Sequence, residues 1–186
     1  QTCALPIFRS WRVAEVANLC DELGIPRPAA SQPYYNAFNR MPEVEHLPAC
    51  KFYGLGVVPY SPLARGVLTG KYRPGEEHPE DSRYASDAMG WAMDRYMSER
   101  VLEAVQRLVP IAEGAGLSMV EMALAWVLRE ENVASAIIGA SRPEQVRQNA
   151  AAAESELSGD LLRAIDEALA EEGGPELRSE EHTSEL

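Results

Sequence analysis

The sequence predicts an α/β fold built on a parallel sheet, and three features of its patterning carry that expectation. Short runs at Ala29 to Tyr34, Gly54 to Tyr60 and Ala134 to Ala140 alternate with stretches of helical spacing. Such alternation lays helices against a parallel sheet. Two of the runs are mostly apolar, with Leu55, Val57 and Val58 in one and Ile137 and Ile138 in the other, as strands covered on both faces are. No Gly-x-Gly-x-x-Gly follows any of them, so the fingerprint of a doubly wound sheet is missing. Part of a (β/α)8 TIM barrel fits better.

The elements follow in order. Val13, Val16, Ala17, Cys20 and Leu23 recur at helical spacing from Trp11, with Gly24 as the stop. A strand candidate over Ala29 to Tyr34 precedes a helical stretch from Glu43 to Tyr53, and a second strand candidate ends at Tyr60. The segment from Tyr72 to Ser98 is rich in Pro, Gly and charge, and a connection of that length usually serves as a lid or binding loop. Val101, Leu102, Val105, Leu108 and Val109 form a helical stripe whose end Pro110 obscures. Ser118-Met-Val-Glu121 reads as a capping box opening a helix through Leu128. Ser141 to Glu144 opens another helix, and Leu161, Leu162, Ile165 and Leu169 mark a last amphipathic one.

Composition narrows the functions. At 186 residues, 46% hydrophobic and with mean hydropathy −0.26, the chain has the makings of one globular core. A net charge of −12 disfavours nucleic acid as a partner. No apolar run is long enough to span a membrane, and the Gln1 end lacks the pattern of a signal peptide. The three cysteines form no CxxC pair, which suits a reduced, cytoplasmic protein. His46 and His78 lack partners at ligand spacing, so no metal site is expected. Cys20 and Cys50, among apolar residues, read as core, as do Trp91 and Trp126.

The two ends read as foreign. The codons AGA TCG GAA GAG CAC ACG TCT GAA CTC can encode Arg178 to Leu186. The complementary strand of that DNA contains CAG ACG TGT GCT CTT CCG ATC, which encodes Gln1 to Ile7. Both ends thus look like one sequencing adapter translated with its insert, and the native segment is expected to run from Phe8 to Leu177.

Three segments carry a family resemblance. VPYSPLARGVLTGKY, Val58 to Tyr72, is similar to the cofactor loop of the aldo-keto reductases. SQPYYNAFNR, Ser31 to Arg40, resembles the family's Gln-x-x-Tyr-Asn strand, and IIGASRPEQVRQN, Ile137 to Asn149, resembles its last strand and following helix. The resemblance covers nearly all of Phe8 to Asp166. It implies the carboxy-terminal half of a (β/α)8 barrel and an oxidoreductase that uses NADPH to reduce a small-molecule aldehyde or ketone.

The residue types suit that cofactor. The resemblance assigns the nicotinamide end to Tyr60, as a flat partner for the ring, and to Gln32, as a polar anchor for its carboxamide. Without the flanking motif, Tyr60 reads better as a strand-end aromatic that caps the core. Ser61, Pro62, Leu63, Ala64 and Gly66 form a turn able to offer backbone N–H groups to a pyrophosphate, with Gly70 beyond it and Lys71 adding a cation. An ordinary surface turn with a solvated lysine is the plainer alternative. Gly139, Ser141 and Arg142 lead into a helix start, where N–H groups and the dipole favour the 2′-phosphate. Ser141 and Glu144 also read simply as helix caps. Gln145, Gln148 and Asn149 match family positions for the adenosine end, with Gln148 where relatives often carry Glu, and Arg83 matches a lid arginine.

The resemblance also implies an absence. The family's catalytic Tyr, Lys, His and Asp belong to earlier strands, upstream of Phe8, and none of Tyr34, Tyr35, Tyr53 or Tyr72 matches the proton donor. No catalytic residue is therefore assigned, and the chain alone is expected to be inactive. A second expectation is an NADPH-sensing regulatory subunit like the family's potassium-channel β relatives. A third is a half-barrel binding module that needs a partner.

Overall fold

The computed structural model describes residues 9–79, 82, 84–85, 93–94 and 96–170, together with the backbone of 4–6. The expectations placed on Arg83 and Trp91 lie outside the described residues.

Three parallel strands form the sheet in the order β1 (Ala4–Pro6), β2 (Ala30–Gln32) and β3 (Gly56–Val57). Ala4 pairs with Ala30 and Pro6 with Gln32, so residues read from the sequence as foreign peptide supply a strand. The ladder continues past β3. Val58 donates to the Ser31 carbonyl at 2.8 Å and Tyr60 to that of Pro33 at 3.0 Å. On the other side of β3, parallel bridges Val57↔Val133 and Tyr60↔Ile137 add a fourth extended segment.

That fourth segment corrects one expectation. Ala134 to Ala140 is not a continuous buried strand: it holds on by isolated bridges, and Ile137 and Ile138 are 42% and 38% exposed. Among the described residues no strand pairs with its outer side, so apolar residues chosen for a covered position face solvent.

Helices flank the sheet. In α1 (Ser10–Leu23), Val13, Ala17 and Cys20 are buried, and Gly24 at φ 62° closes the helix. The expected run from Glu43 to Tyr53 is two helices, α2 (Met41–Val44) and α3 (His46–Tyr53), parted at Glu45. Pro48 has no N–H to return to the Val44 carbonyl, so the chain restarts rather than continuing.

Next comes α4 (Glu99–Gly114), which passes through Pro110 instead of ending there. The lost N–H costs one bond, but Val101, Leu102, Val105, Leu108 and Ala112 stay buried on both sides of the proline. Packing of that stripe wins over the local break. Ser118 and Glu121 form the expected reciprocal cap on α5 (Met119–Leu128), with bonds of 3.2 and 2.8 Å. The last of the described helices are α6 (Pro143–Ala151) and α7 (Gly159–Ala170). Among the described residues no single helix is long and apolar enough to cross a membrane.

A polar knot fixes the loop that follows β2. The Glu43 carboxylate accepts from Arg40, from Arg129 at 2.8 Å and from the Tyr35 hydroxyl at 2.8 Å. Arg129 lies 3.7 Å from the centroid of the buried Trp126 ring, close enough for a strong cation–π contact. Arg40 reaches across to Asp166 on α7 at 2.7 Å. Glu43 thus ties the β2 loop to the end of α5, and Arg40 extends the link to α7.

Candidate functional site

β3 delivers Tyr60 to the end of the ladder, half-buried and packed on Tyr34 with ring centroids 5.2 Å apart. The chain then leaves by a turn that the neighbouring loop holds in place. Asn36 Nδ2 donates to the Ser61 carbonyl at 3.0 Å, while Asn36 Oδ1 accepts from the N–H groups of Phe38 and Asn39. Asn39 closes the brace by donating to the Tyr34 carbonyl at 2.8 Å. Asn36 sits inside the Gln-x-x-Tyr-Asn segment, yet its bracing role depends on a partner 25 positions away that no local pattern reveals.

Pro62 and Ala64 are buried, and Leu63 packs on the core. Ser61, Ala64, Arg65 and Gly66 have φ of 53°, 46°, 59° and 99°. This left-handed region suits glycine and strains the other three. The last three of these open a 3-10 stretch, Ala64–Thr69, kinked at Arg65 and Gly66.

Lys71 lies against Gly66: a Cβ there would be in ordinary contact, 3.8 Å from Lys71 Cε and 4.0 Å from Nζ, so it is the φ of 99° that calls for glycine. The lysine folds over the glycine while staying exposed. Gln106 on α4 grips the backbone on both sides of Lys71, donating to the carbonyls of Gly70 and Tyr72 at 3.2 and 3.1 Å. Gln106 went unnoticed in the sequence because its partners lie more than thirty positions away.

The second segment leaves the same end of the sheet. Tyr60 stands opposite Ile137 in a parallel bridge, so Gly139, Ser141 and Arg142 follow the carboxy end of the fourth segment as the Tyr60 loop follows β3. Here the structure corrects the reading of free N–H groups. Gln145 Oε1 accepts from the Ser141 N–H at 2.8 Å, the Ser141 hydroxyl at 3.2 Å and the Arg142 N–H at 3.2 Å. Those donors are occupied by a cap, and the exposed Arg142 side chain carries the charge.

Gln148 reaches Ser118 at 3.4 Å instead of projecting alone, and Asn149 is the buried residue of α6. Gln32 is half-buried on β2, two residues before the Tyr34 that packs on Tyr60.

Nearby titratable groups are structural. Burial pushes the Tyr35 phenol well above its ordinary range, so it is no acid at neutral pH. His46 Nε2 and Ser31 Oγ lie 2.8 Å apart in the interior, and burial raises the adjoining Cys50 thiol against a Ser31 hydrogen bond. Among the described residues no three His, Cys, Asp or Glu side chains gather as metal ligands would.

The loop fits a phosphate group. It offers a glycine under a lysine, and the Nε of Arg65 is buried with no hydrogen-bond partner, a donor suited to an anion.

Known proteins are similar in sequence along most of the chain. It is 38% identical over 143 residues to a probable voltage-gated potassium channel subunit beta of Arabidopsis thaliana, covering 76% of this chain and 43% of that protein. An L-glyceraldehyde 3-phosphate reductase of Escherichia coli O157:H7 is 35% identical over 164 residues, 86% of this chain and 46% of the relative. An aldo-keto reductase of Pseudocercospora fijiensis is 30% identical over 169 residues, 87% and 57% respectively. The chain spans about half the length of the curated relatives it matches. The profile of the Aldo/keto reductase family matches residues 8–170, and the chain belongs to that family.

Proposed function

We propose that this chain is the carboxy-terminal, NADPH-binding half of a (β/α)8 oxidoreductase that reduces an aldehyde or ketone. The observation that carries the reading is the parallel pairing of Tyr60 with Ile137. It puts the Tyr60–Lys71 loop and the Gly139–Asn149 segment after the carboxy ends of adjacent strands, the face where barrels gather their ligand groups. When bound, the nicotinamide would supply the hydride.

The chain's own residues do the holding. Tyr60, backed by Tyr34, offers a flat surface to the ring, and Gln32 its amide to the carboxamide. The turn from Ser61 to Gly66 and the Lys71 cation receive the pyrophosphate. Arg142 provides positive charge for the 2′-phosphate, with Gln148 and Asn149 toward the adenosine. Proton donation is left to residues upstream of Phe8, because the tyrosines here are packed, hydrogen-bonded or buried.

A second reading is a regulatory subunit that senses NADPH, favoured by the similarity to potassium-channel β proteins. Joining the chain to the upstream half of its gene and following nicotinamide absorbance with a panel of aldehydes separates the two. The first reading predicts turnover by the joined protein and none by the 186-residue chain. NADPH binding without turnover in the joined protein would favour the second. Turnover by the chain alone, lost on mutating one of its tyrosines, would contradict the placement of the proton donor.

A further inference from the structure

Ser61 holds a backbone shape that its own chemistry disfavours. Its φ of 53° is left-handed, a region that side chains other than those of Asn and Asp rarely adopt. Pro62 follows it, and the residue before a proline is pressed toward extended backbone instead. Ser61 is bonded directly to Tyr60, so relaxation of that strain would displace the aromatic ring.

Two successive carbonyls carry the compensation. The Tyr60 carbonyl accepts from the Tyr35 N–H at 3.5 Å. The Ser61 carbonyl accepts from Asn36 Nδ2 and from the Ala64 N–H, both at 3.0 Å. Of these three donors only the Asn36 amide belongs to a side chain. Asn36 is 0% exposed, and its Oδ1 is spent on the N–H groups of Phe38 and Asn39 at 3.0 Å. Those bonds fix the amide plane, so Nδ2 is already aimed at Ser61. The same loop carries Tyr34, the ring that backs Tyr60.

We propose that Asn36 is a positioning residue: its amide holds Ser61 left-handed and thereby sets the Tyr60 ring for the nicotinamide. The proposal rests on reading Tyr60 as the partner of that ring. Asn36 is too deeply buried to meet a ligand, and it acts through the turn it braces. A turn held in its bound shape beforehand loses less freedom when the ligand arrives.

Calorimetric titration with NADPH and NADH tests this on four proteins: the unaltered chain, Asn36→Asp, Ser61→Gly and the double variant. Asn36→Asp keeps the acceptor that Phe38 and Asn39 use and loses the donor to Ser61. It should weaken both nucleotides by the same factor, about fivefold or more, the loss expected for one neutral hydrogen bond. In the Ser61→Gly background the same substitution should cost about twofold or less, because glycine adopts this φ unaided. Asn36→Ser is uncharged and one bond shorter, and it repeats the comparison if a buried carboxylate unfolds the chain.

Equal losses in the two backgrounds would overturn the role, since an added charge or a damaged turn takes no account of residue 61. Unchanged binding by Asn36→Asp or Asn36→Ser would overturn it as well. So would weakening of NADPH alone, because both nucleotides carry the same nicotinamide. Failure of the unaltered chain to bind either nucleotide would instead overturn the dinucleotide reading, and this proposal with it.

Discussion

Glu43 is the residue on which the geometry around the site depends. Burial opposes its ionisation, but hydrogen bonds from Arg40, Arg129 and Tyr35 outweigh that and hold the carboxyl below its ordinary value of 4.5. The stabilisation from a depressed carboxylate is complete above the ordinary value and is lost as pH falls through the folded one. Thermal midpoints should therefore be level above about pH 5 and fall below it, and Glu43→Gln should flatten that acid limb. Glu43→Ala should cost about 2 kcal/mol in urea denaturation, since it removes the acceptor that Arg40, Arg129 and Tyr35 share. Tyr60, Gly66 and Lys71 can be singled out from the sequence because a contiguous motif carries them. Asn36 and Gln106 cannot: the bonds they make reach partners far along the chain.

Elements were legible where the signal was local. The Ser118–Glu121 cap and the Gly24 stop lie where spacing and residue type put them. Ser118→Ala should destabilise the chain by about 1 kcal/mol, read as a lower urea midpoint at unchanged slope. Local signals failed where tertiary packing overrode them. Pro110 reads as a helix end, yet the buried stripe carries α4 through it. Pro110→Ala restores a backbone N–H on an exposed face and should stabilise the chain by about 1 kcal/mol or more, read as a higher urea midpoint. The Ala134 to Ala140 run shows the opposite failure, because its apolar side chains announce a cover that the described residues do not include.

At the scale of the molecule, parallel pairing is what converts separate motifs into one end of a sheet. β1 belongs to that pairing, although its sequence reads as foreign. Deleting residues 1–7 bares the outer edge of β2 and should lower the thermal midpoint by about 2–4 °C, the response of a domain this size to ~1 kcal/mol. No change would mean that the strand is indifferent to the fold.

The central claim is that the Tyr60 loop and the Ser141 segment form one NADPH site, in which Arg142 selects for the extra phosphate. Titrating NADPH and NADH into the chain and into Arg142→Ala tests it most directly. The account predicts tighter binding of NADPH to the unaltered chain, and about a tenfold or greater loss for NADPH alone in the variant. Equal losses for both nucleotides, or no preference to begin with, would contradict it.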